Sequence, residues 1–309
     1  MSEALSKTVH GDFDSVFHEV TQPEKVAWMT EGQLRLFHLN IRNNKFNPEE
    51  MKTLLYRNIG EYVFSRAKIE KFKVAGDAFA VGAQAIRVLN KNGGADVKGT
   101  GAELGEMLLY SFLEEKLNAP KLMSRVELST DAKQHASSCD GIHLLTSKAS
   151  GLPYHQVVFG TSSIVGDLRY AIDAAFESIV EIEKNEDKEL HIVDDLIFDR
   201  LFDEDEIELA KEIFVPNPNN STPYNTSYGI FLGYTLGLNP SSYSIAEFPS
   251  IAEEKMQEDI KRNIDYILKK ISDNGLGLHS FYFHVLPFND AEEEKKSVMD
   301  AVLKGDVDL

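Results

Sequence analysis

The chain has 309 residues, of which 42% are hydrophobic and 27% charged, and these values are ordinary for a soluble globular protein with a sizeable core. Its single cysteine, Cys139, excludes an internal disulfide and a zinc site built from several cysteines. The formal net charge of −18 weighs against a broad basic face that binds nucleic acid unaided, because phosphate contacts need Lys and Arg.

The first residues lack the apolar stretch of a signal peptide, and no apolar run is long enough to cross a bilayer. We therefore expect the protein in the cytoplasm. From residue 14 to 41, short apolar groups separated by charges favour strands. The Asn-Pro-Glu-Glu segment at 47–50 is typical of a helix start, and apolar spacing extends this helix to about residue 67. A second helix is predicted over 78–89. The Gly-rich segment 91–101 matches no phosphate-binding motif, so we interpret it as a connector.

The middle of the chain reads as one helix, three short strands and a second helix. Acidic residues mark the ends of these elements: Glu106 lies in the first helix, and Asp140 opens the second strand. The apolar residues of the last helix repeat at three- and four-residue steps, as in an amphipathic helix. The predicted elements are a helix over 101–117, strands over 121–128, 139–145 and 155–160, and a helix over 167–183.

After the middle region, composition predicts a strand over 226–238, a helix ending near Gly275, a strand ended by Pro287 and a short last helix. The acidic runs at 194–212 and 291–297 are interpreted as solvated helix faces. We divide the chain into an N-terminal α/β region (1–100), a core (101–190) and a C-terminal α/β region (191–309) packed as one unit.

This order of elements is the layout of a PD-(D/E)xK restriction-endonuclease core, an α/β fold with a mixed sheet flanked by helices. Such a site holds Mg²⁺ through a helix Glu and a strand Asp, which Glu106 and Asp140 would supply. The next strand contributes an acid and, two residues later, a Lys on the same face. Thr161 and Ser163 stand at those two steps, so the E-x-K step is replaced by Thr-Ser-Ser.

The replacement of the E-x-K step leaves two alternatives. Either hydrolysis is lost or weakened, or other side chains have taken over the roles of the missing Glu and Lys. Strand alternation over 121–128 would place several charged side chains on one face for such a relocation. The candidates are Lys121, Arg125, Glu127 and, after the next strand, Lys148. Taken singly, Glu106 also fits a solvated helix residue, and Asp140 a turn residue before Gly141.

Three histidines are candidates for metal ligands, but we interpret them as structural. His143 lies in an apolar strand, where a satisfied core histidine is the commoner case. His279 and His284 flank an aromatic triplet and have no acid at metal-ligand spacing.

Several segments together resemble the Hachiman anti-phage defence nuclease subunit family, HamA. They are GAELGEMLLYSFLEEKLNAPKLMSRVEL, DGIHLL, VVFGTSSIVGDLRYAIDAAFESI and HSFYFHVLPFNDAEEEKK, and the resemblance runs from about Gly101 to the C-terminus. The family's Gly-Glu-Ser-Lys segment corresponds to residues 160–163, which depart from it at both chemical positions.

The resemblance implies a nuclease effector that acts with Mg²⁺ or Mn²⁺ through Glu106 and Asp140. It also implies a complex with a superfamily 2 helicase, HamB, which engages DNA and restrains the nuclease. A helicase would supply the DNA affinity that an acidic chain lacks. The alternative is a catalytically inactive subunit that regulates or scaffolds the helicase. If the site is degenerate but otherwise intact, changing Thr161 to Glu and Ser163 to Lys should raise cleavage.

Overall fold

The computed structural model describes residues 5–21, 29, 32–91, 101–130, 137–149, 152–201, 203–215 and 224–308. The described helices are α1 (Phe13–Val16), α2 (Glu49–Val63), α3 (Arg66–Val74), α4 (Val81–Lys91), α5 (Glu103–Lys116), α6 (Arg125–Thr130), α7 (Leu168–Lys184), α8 (Glu186–Arg200), α9 (Glu204–Phe214), α10 (Phe248–Asp273) and α11 (Ala291–Lys304). The described strands are β1 (Phe17–Val20), β2 (Leu34–Leu39), β3 (Ile41–Arg42), β4 (Lys45–Phe46), β5 (Lys121–Ser124), β6 (Gly141–Ala149), β7 (Leu152–Ile164), β8 (Tyr224–Thr235) and β9 (Ser280–Phe288).

A mixed seven-stranded sheet forms the centre of the molecule, in the order β1-β2-β9-β8-β7-β6-β5. Strands β2, β9, β8 and β7 run parallel, whereas β5 and β6 add to β7 as an antiparallel meander and β1 is antiparallel to β2. The expected α/β class with a mixed sheet flanked by helices is confirmed. Strands of this sheet come from all three ranges, 1–100, 101–190 and 191–309.

Two helices cover opposite faces of the sheet. Phe112 of α5 packs its ring against that of His284 in β9, with ring centroids 5.5 Å apart. Phe176 of α7 packs against Phe281 and Phe283 of the same strand. Because neighbouring strand residues point to opposite faces, α5 and α7 lie on opposite sides of β9 and its neighbours.

Glycines bring α5 unusually close to the sheet. A Cβ at Gly105 of α5 would lie 2.8 Å from Oγ of Ser162, and one at Gly160 of β7 would lie 2.7 Å from a methyl group of Leu109. Real Cβ contacts are not this short, so a side chain at either position would push the helix away from β7. The helix therefore lies almost directly on the strand at the level of Glu106.

Most of the predicted elements are confirmed, with shifted ends. The predicted helix from 47 to about 67 consists of α2 followed by α3. The helix is interrupted at Ser65, which caps α3: its Oγ accepts from the Lys68 N–H (3.3 Å). Strand β9 continues past Pro287 to Phe288. That is tolerated because β2 pairs only with residues 283–285, so the missing N–H costs no hydrogen bond on that side.

The predicted strand over 121–128 is wrong in its second half. Pairing with β6 stops at Ser124, and α6 begins at Arg125. The Gly-rich connector (91–101) and the turn-rich segment at 217–225 lie largely outside the described residues. Within the described part of the chain, no helix combines the length and apolarity needed to cross a membrane.

Candidate active site

Glu106 lies on the face of α5 that meets the sheet, and its side chain is buried (5% exposed). Its Oε2 accepts a hydrogen bond from the hydroxyl of Tyr62, at 2.6 Å. Tyr62 belongs to the last turn of α2 and is fully buried. The N-terminal region therefore contributes a side chain to the cleft beside the core.

Asp140 occupies the bend just before β6, where its backbone still continues the sheet. Its N–H donates to the Gly160 carbonyl at 2.8 Å. Its carboxylate reaches the neighbouring strand: Oδ2 accepts from the N–H (2.7 Å) and the hydroxyl (2.8 Å) of Ser162. The side chain of Asp140 is 16% exposed, so it is largely but not completely buried.

Arg125 supplies the positive charge of the site. Its Nη1 lies 3.1 Å from Oδ1 of Asp140, and its backbone N–H donates to the Asp140 carbonyl at 3.0 Å. The Arg125 side chain is about one-third exposed. Arg125 therefore pairs with the Asp140 carboxylate and is still partly accessible to solvent.

The two acids of the cluster both have raised pKa values. Burial, and then repulsion by Asp140, raises the pKa of Glu106 to about 8, although the Tyr62 hydroxyl and Arg125 oppose this shift. Burial also raises the pKa of Asp140, against the opposing effects of Arg125 and Ser162. Acids whose pKa values are shifted by burial and by a neighbouring charge are a mark of functional sites.

Thr161 and Ser163 do not join this cluster. Ser162 faces α5 and Asp140, so strand alternation turns Thr161 and Ser163 toward the α7 face, where both are buried. The structure therefore brings Glu106 and Asp140 together but places the residues at the predicted E-x-K step on the other side of β7. Ser162 is the residue of this strand that meets the acids.

Two of the proposed substitutes for the missing lysine and acid are engaged elsewhere. The Lys121 ammonium is buried and donates to the carbonyls of Glu61 (2.5 Å), Tyr62 (3.1 Å) and Phe64 (3.0 Å) at the end of α2. It also pairs with Glu127 at 3.0 Å. The side chain of the further candidate Lys148 lies outside the described residues. Among the described candidates, Arg125 alone contacts Asp140.

Sequence reasoning missed Tyr62 and Ser162 as site residues, and it placed Arg125 on a strand. A capping box gave the signal for Arg125: Ser124 Oγ accepts from the Glu127 N–H (3.3 Å), and Glu127 Oε2 accepts from the Ser124 N–H (3.0 Å). The Ser-x-x-Glu spacing predicts a helix that starts at Arg125. Tyr62 had no such signal, because its contact with Glu106 is purely tertiary.

The three histidines have different surroundings in the structure. His143 is buried, and its Nδ1 lies 2.7 Å from the Ala119 carbonyl oxygen. His279 Nε2 lies 3.2 Å from Oε1 of Glu183, at the opposite end of β8 from the cleft. His284 is buried among aromatic rings, and neither of its ring nitrogens has a hydrogen-bond partner among the described residues.

The donor set of the cleft suits a hard divalent cation. Mg²⁺ is commonly held by one or two carboxylates, with waters and substrate phosphates completing its shell, and Glu106 and Asp140 offer this pair. A cation between them would relieve the repulsion that raises the pKa of Glu106. Among the described residues, no group of three or more His, Cys, Asp and Glu side chains is arranged to hold a metal. A cation here would therefore depend on waters and on the substrate.

Comparison with known proteins gives one family. The family model described as HamA matches residues 13–302, which is nearly the whole chain. No curated protein matches it. The matched range includes every residue of the cleft, from Tyr62 on α2 to Ser162 on β7.

Proposed function

Because the chain belongs to the HamA family, and so to the proteins of Hachiman anti-phage defence, we propose that it is the effector subunit of such a system and hydrolyses DNA phosphodiester bonds at the cleft between Glu106 and Asp140. The reaction class is metal-dependent phosphodiester hydrolysis. A partner helicase of the HamB type would deliver the DNA and control access to the cleft.

One observation carries the proposal: two largely buried acids from different elements lie so close that the charge of Asp140 raises the pKa of Glu106. Such an arrangement lowers the stability of the fold, because both the burial and the mutual repulsion of the carboxylates are unfavourable. A purely structural subunit would gain stability by replacing either acid. The pair is therefore best explained by a ligand that needs both carboxylates.

The residues of the cleft have distinct roles in this proposal. Glu106 and Asp140 would hold Mg²⁺ or Mn²⁺, which in such sites offsets charge on the phosphate and lowers the pKa of bound water. Tyr62 orients Glu106 through its hydroxyl, and Ser162 orients Asp140 through two hydrogen bonds. The guanidinium of Arg125 offsets negative charge that develops on the phosphate, the part played by lysine in the E-x-K step.

The charge of the chain supports a partner that supplies the affinity for DNA. With 50 acidic and 32 basic residues, the isolated chain should repel a polyanion over most of its surface. A helicase that already holds DNA removes this barrier, because the nuclease then meets its substrate as a neighbour within one complex.

A second candidate is an inactive nuclease-fold subunit that regulates or scaffolds the helicase. The observation in its favour is that no lysine stands at the E-x-K step, and that Thr161 and Ser163 face away from the acids. The two candidates differ in whether the cleft binds a divalent cation and cuts.

The test is cleavage of supercoiled plasmid with Mg²⁺ or Mn²⁺, by the chain alone and with its neighbouring helicase and ATP. We expect cleavage with the helicase, and its loss by at least a hundredfold in Asp140→Ala. Asp187→Ala, which removes an exposed aspartate of α8, is the matched control and should cut normally. No cleavage under any condition, from a complex that still forms, would establish the inactive subunit instead.

A further inference from the structure

The turn that leads into Asp140 is bound by a buried carboxylate from α8, the helix that runs from the end of the core range into the C-terminal region. Glu189 of α8 is fully buried, and its Oε1 accepts from the N–H of Ser138 at 2.9 Å. Its Oε2 accepts from the Ser137 hydroxyl at 2.7 Å. The same Ser137 oxygen accepts from the Cys139 N–H at 3.2 Å. One carboxylate therefore holds, directly or through Ser137, the three consecutive residues that immediately precede Asp140.

These bonds leave little freedom for Asp140. Its own backbone is held on the other side, where its N–H donates to Gly160 and its carbonyl accepts from Arg125. The position of the Asp140 carboxylate then follows from a turn that is fixed at both ends. Without Glu189, the Ser138 N–H and the Ser137 hydroxyl would lose their acceptor in a buried place, and the turn would have to rearrange.

The far end of α8 touches the other charged segment of the site. Arg200, about three turns along the helix from Glu189, lies with Nη1 3.5 Å from Oε1 of Glu127. Glu127 closes the capping box that starts α6, the helix whose first residue is Arg125. The same helix thus contacts the turn that carries Asp140 and the helix that carries Arg125.

We propose that α8 is the positioning element of the cleft and that Glu189 is a positioning residue for Asp140. The inference rests on the proposed function, since it assigns Glu189 to the same site. The acidic run that was interpreted as a solvated helix face begins only at residue 194. Glu189 precedes it and is an acid that α8 turns inward, onto the turn before Asp140.

The first test needs neither metal nor DNA. The Ser162 N–H donates to the Asp140 carboxylate, so its hydrogen exchange reports where that carboxylate lies. In Glu189→Ala we expect exchange at Ser162 at least tenfold faster than in the wild type, as in Asp140→Ala. Glu189→Gln should restore slow exchange, because its amide oxygen can accept from Ser138 and its amide nitrogen can donate to the Ser137 hydroxyl.

The matched control is Glu186→Ala, which removes an equal charge from the first turn of α8. Glu186 binds the Thr226 hydroxyl of β8 rather than the turn before Asp140. Unchanged Ser162 exchange in a folded Glu189→Ala variant, or equal acceleration in Glu186→Ala, would overturn the inference. If Glu189→Ala does not fold, failure of Glu189→Gln to keep Ser162 protected would do so.

The second test is Mn²⁺ titration of the same variants by calorimetry. Loss of a group that orients a metal ligand typically weakens affinity ten- to a hundredfold. We expect this loss in Glu189→Ala, with recovery in Glu189→Gln and wild-type affinity in Glu186→Ala. A wild-type chain that binds no Mn²⁺ counts against the proposed function, whereas the exchange result still decides the role of Glu189.

Discussion

At the residue scale, the cleft joins two acids whose neighbours keep them in place and only partly offset their repulsion. The Tyr62 hydroxyl lowers the pKa of Glu106, yet burial and Asp140 still raise it to about 8. Functional sites commonly keep such strain because the ligand relieves it. The cost of the strain should be measurable in the metal-free protein.

We predict that Glu106→Gln stabilises the metal-free fold while it abolishes cleavage. At pH 7 a carboxyl whose pKa is about 8 is largely protonated in the folded chain but ionised in the unfolded chain, so folding has to take up a proton. The amide removes this cost, and its oxygen still accepts from Tyr62. Since one pKa unit corresponds to about 1.4 kcal/mol, we expect a gain of about 1–3 kcal/mol in the free energy of unfolding. Urea denaturation in EDTA measures it. Glu177→Gln, at an exposed position on α7, should change nothing, and a less stable Glu106→Gln would contradict the prediction.

His284 should make the protein sensitive to acid. Burial, together with Arg35 and Lys116, lowers its pKa to about 3, so the folded chain holds the ring neutral. A depressed histidine pKa stabilises the fold fully above about 6.5, and this contribution is lost as the pH falls toward 3. The free energy of unfolding should therefore fall less between pH 7 and pH 4 in His284→Phe than in the wild type, by about 2–3 kcal/mol.

The measurement is urea denaturation across that pH range. His143→Phe is the informative comparison, because His143 has a partner in the Ala119 carbonyl and its removal should lower stability at pH 7. Parallel pH profiles for His284→Phe and the wild type would show that His284 does not titrate as the structure requires.

At the scale of elements, the face of β7 on which a residue lies determines the effect of restoring the missing Glu and Lys. Thr161 and Ser163 are buried on the α7 side, at 2% and 9% exposure. The sequence predicted that Thr161→Glu with Ser163→Lys raises cleavage. From the structure we instead expect no gain in cleavage. Both charges would be buried away from the acids.

We predict that this double variant loses about 3 kcal/mol or more of stability and gains no cleavage, by analogy with the cost of unpaired buried charges. Thermal unfolding and plasmid cleavage measure the two effects. Thr161→Val with Ser163→Ala, which keeps the face apolar, should unfold close to the wild type. A gain in cleavage in the charged variant would place these residues in the cleft after all.

Helix and strand patterns predicted the elements well where one face is apolar. The spacing of Leu168, Ile172 and Phe176 predicted α7. The apolar residues between 104 and 113 predicted α5 in the same way. The prediction of one strand over 121–128 was wrong because β5 and α6 are each too short to show a hydrophobic period of their own. The contact of Tyr62 with Glu106 and that of Glu189 with the Asp140 turn join distant parts of the chain, which local patterns do not encode.

At the scale of the whole molecule, the core cannot be separated from its surroundings. Strand β7 pairs with β8 along ten residues, and β8 pairs with β9, which in turn pairs with β2. Helix α11 packs against both α2 and α5. The middle range alone would leave the long edge of β7 unpaired and the aromatic residues of α5 uncovered.

We therefore predict that a fragment of residues 101–190 does not unfold cooperatively. It keeps β5, β6 and β7 but loses the strands that cover the other half of α5 and α7. Circular dichroism on heating should show a shallow slope for the fragment and a sigmoidal transition for the full chain. A sigmoidal transition from the fragment would mean that the core is an independent domain.

The pairing of β2 with β9 also affects how the chain is made. Leu34 of β2 finds its partner Phe283 only after roughly 250 further residues have left the ribosome, which takes roughly 10 to 50 s at ordinary rates of synthesis. Throughout that interval the sheet lacks an inner strand, and α11 has not yet packed against α2 and α5. A nascent chain would thus carry an unfinished sheet, and under the proposed function its cleavage of DNA would begin only once β9 has been made.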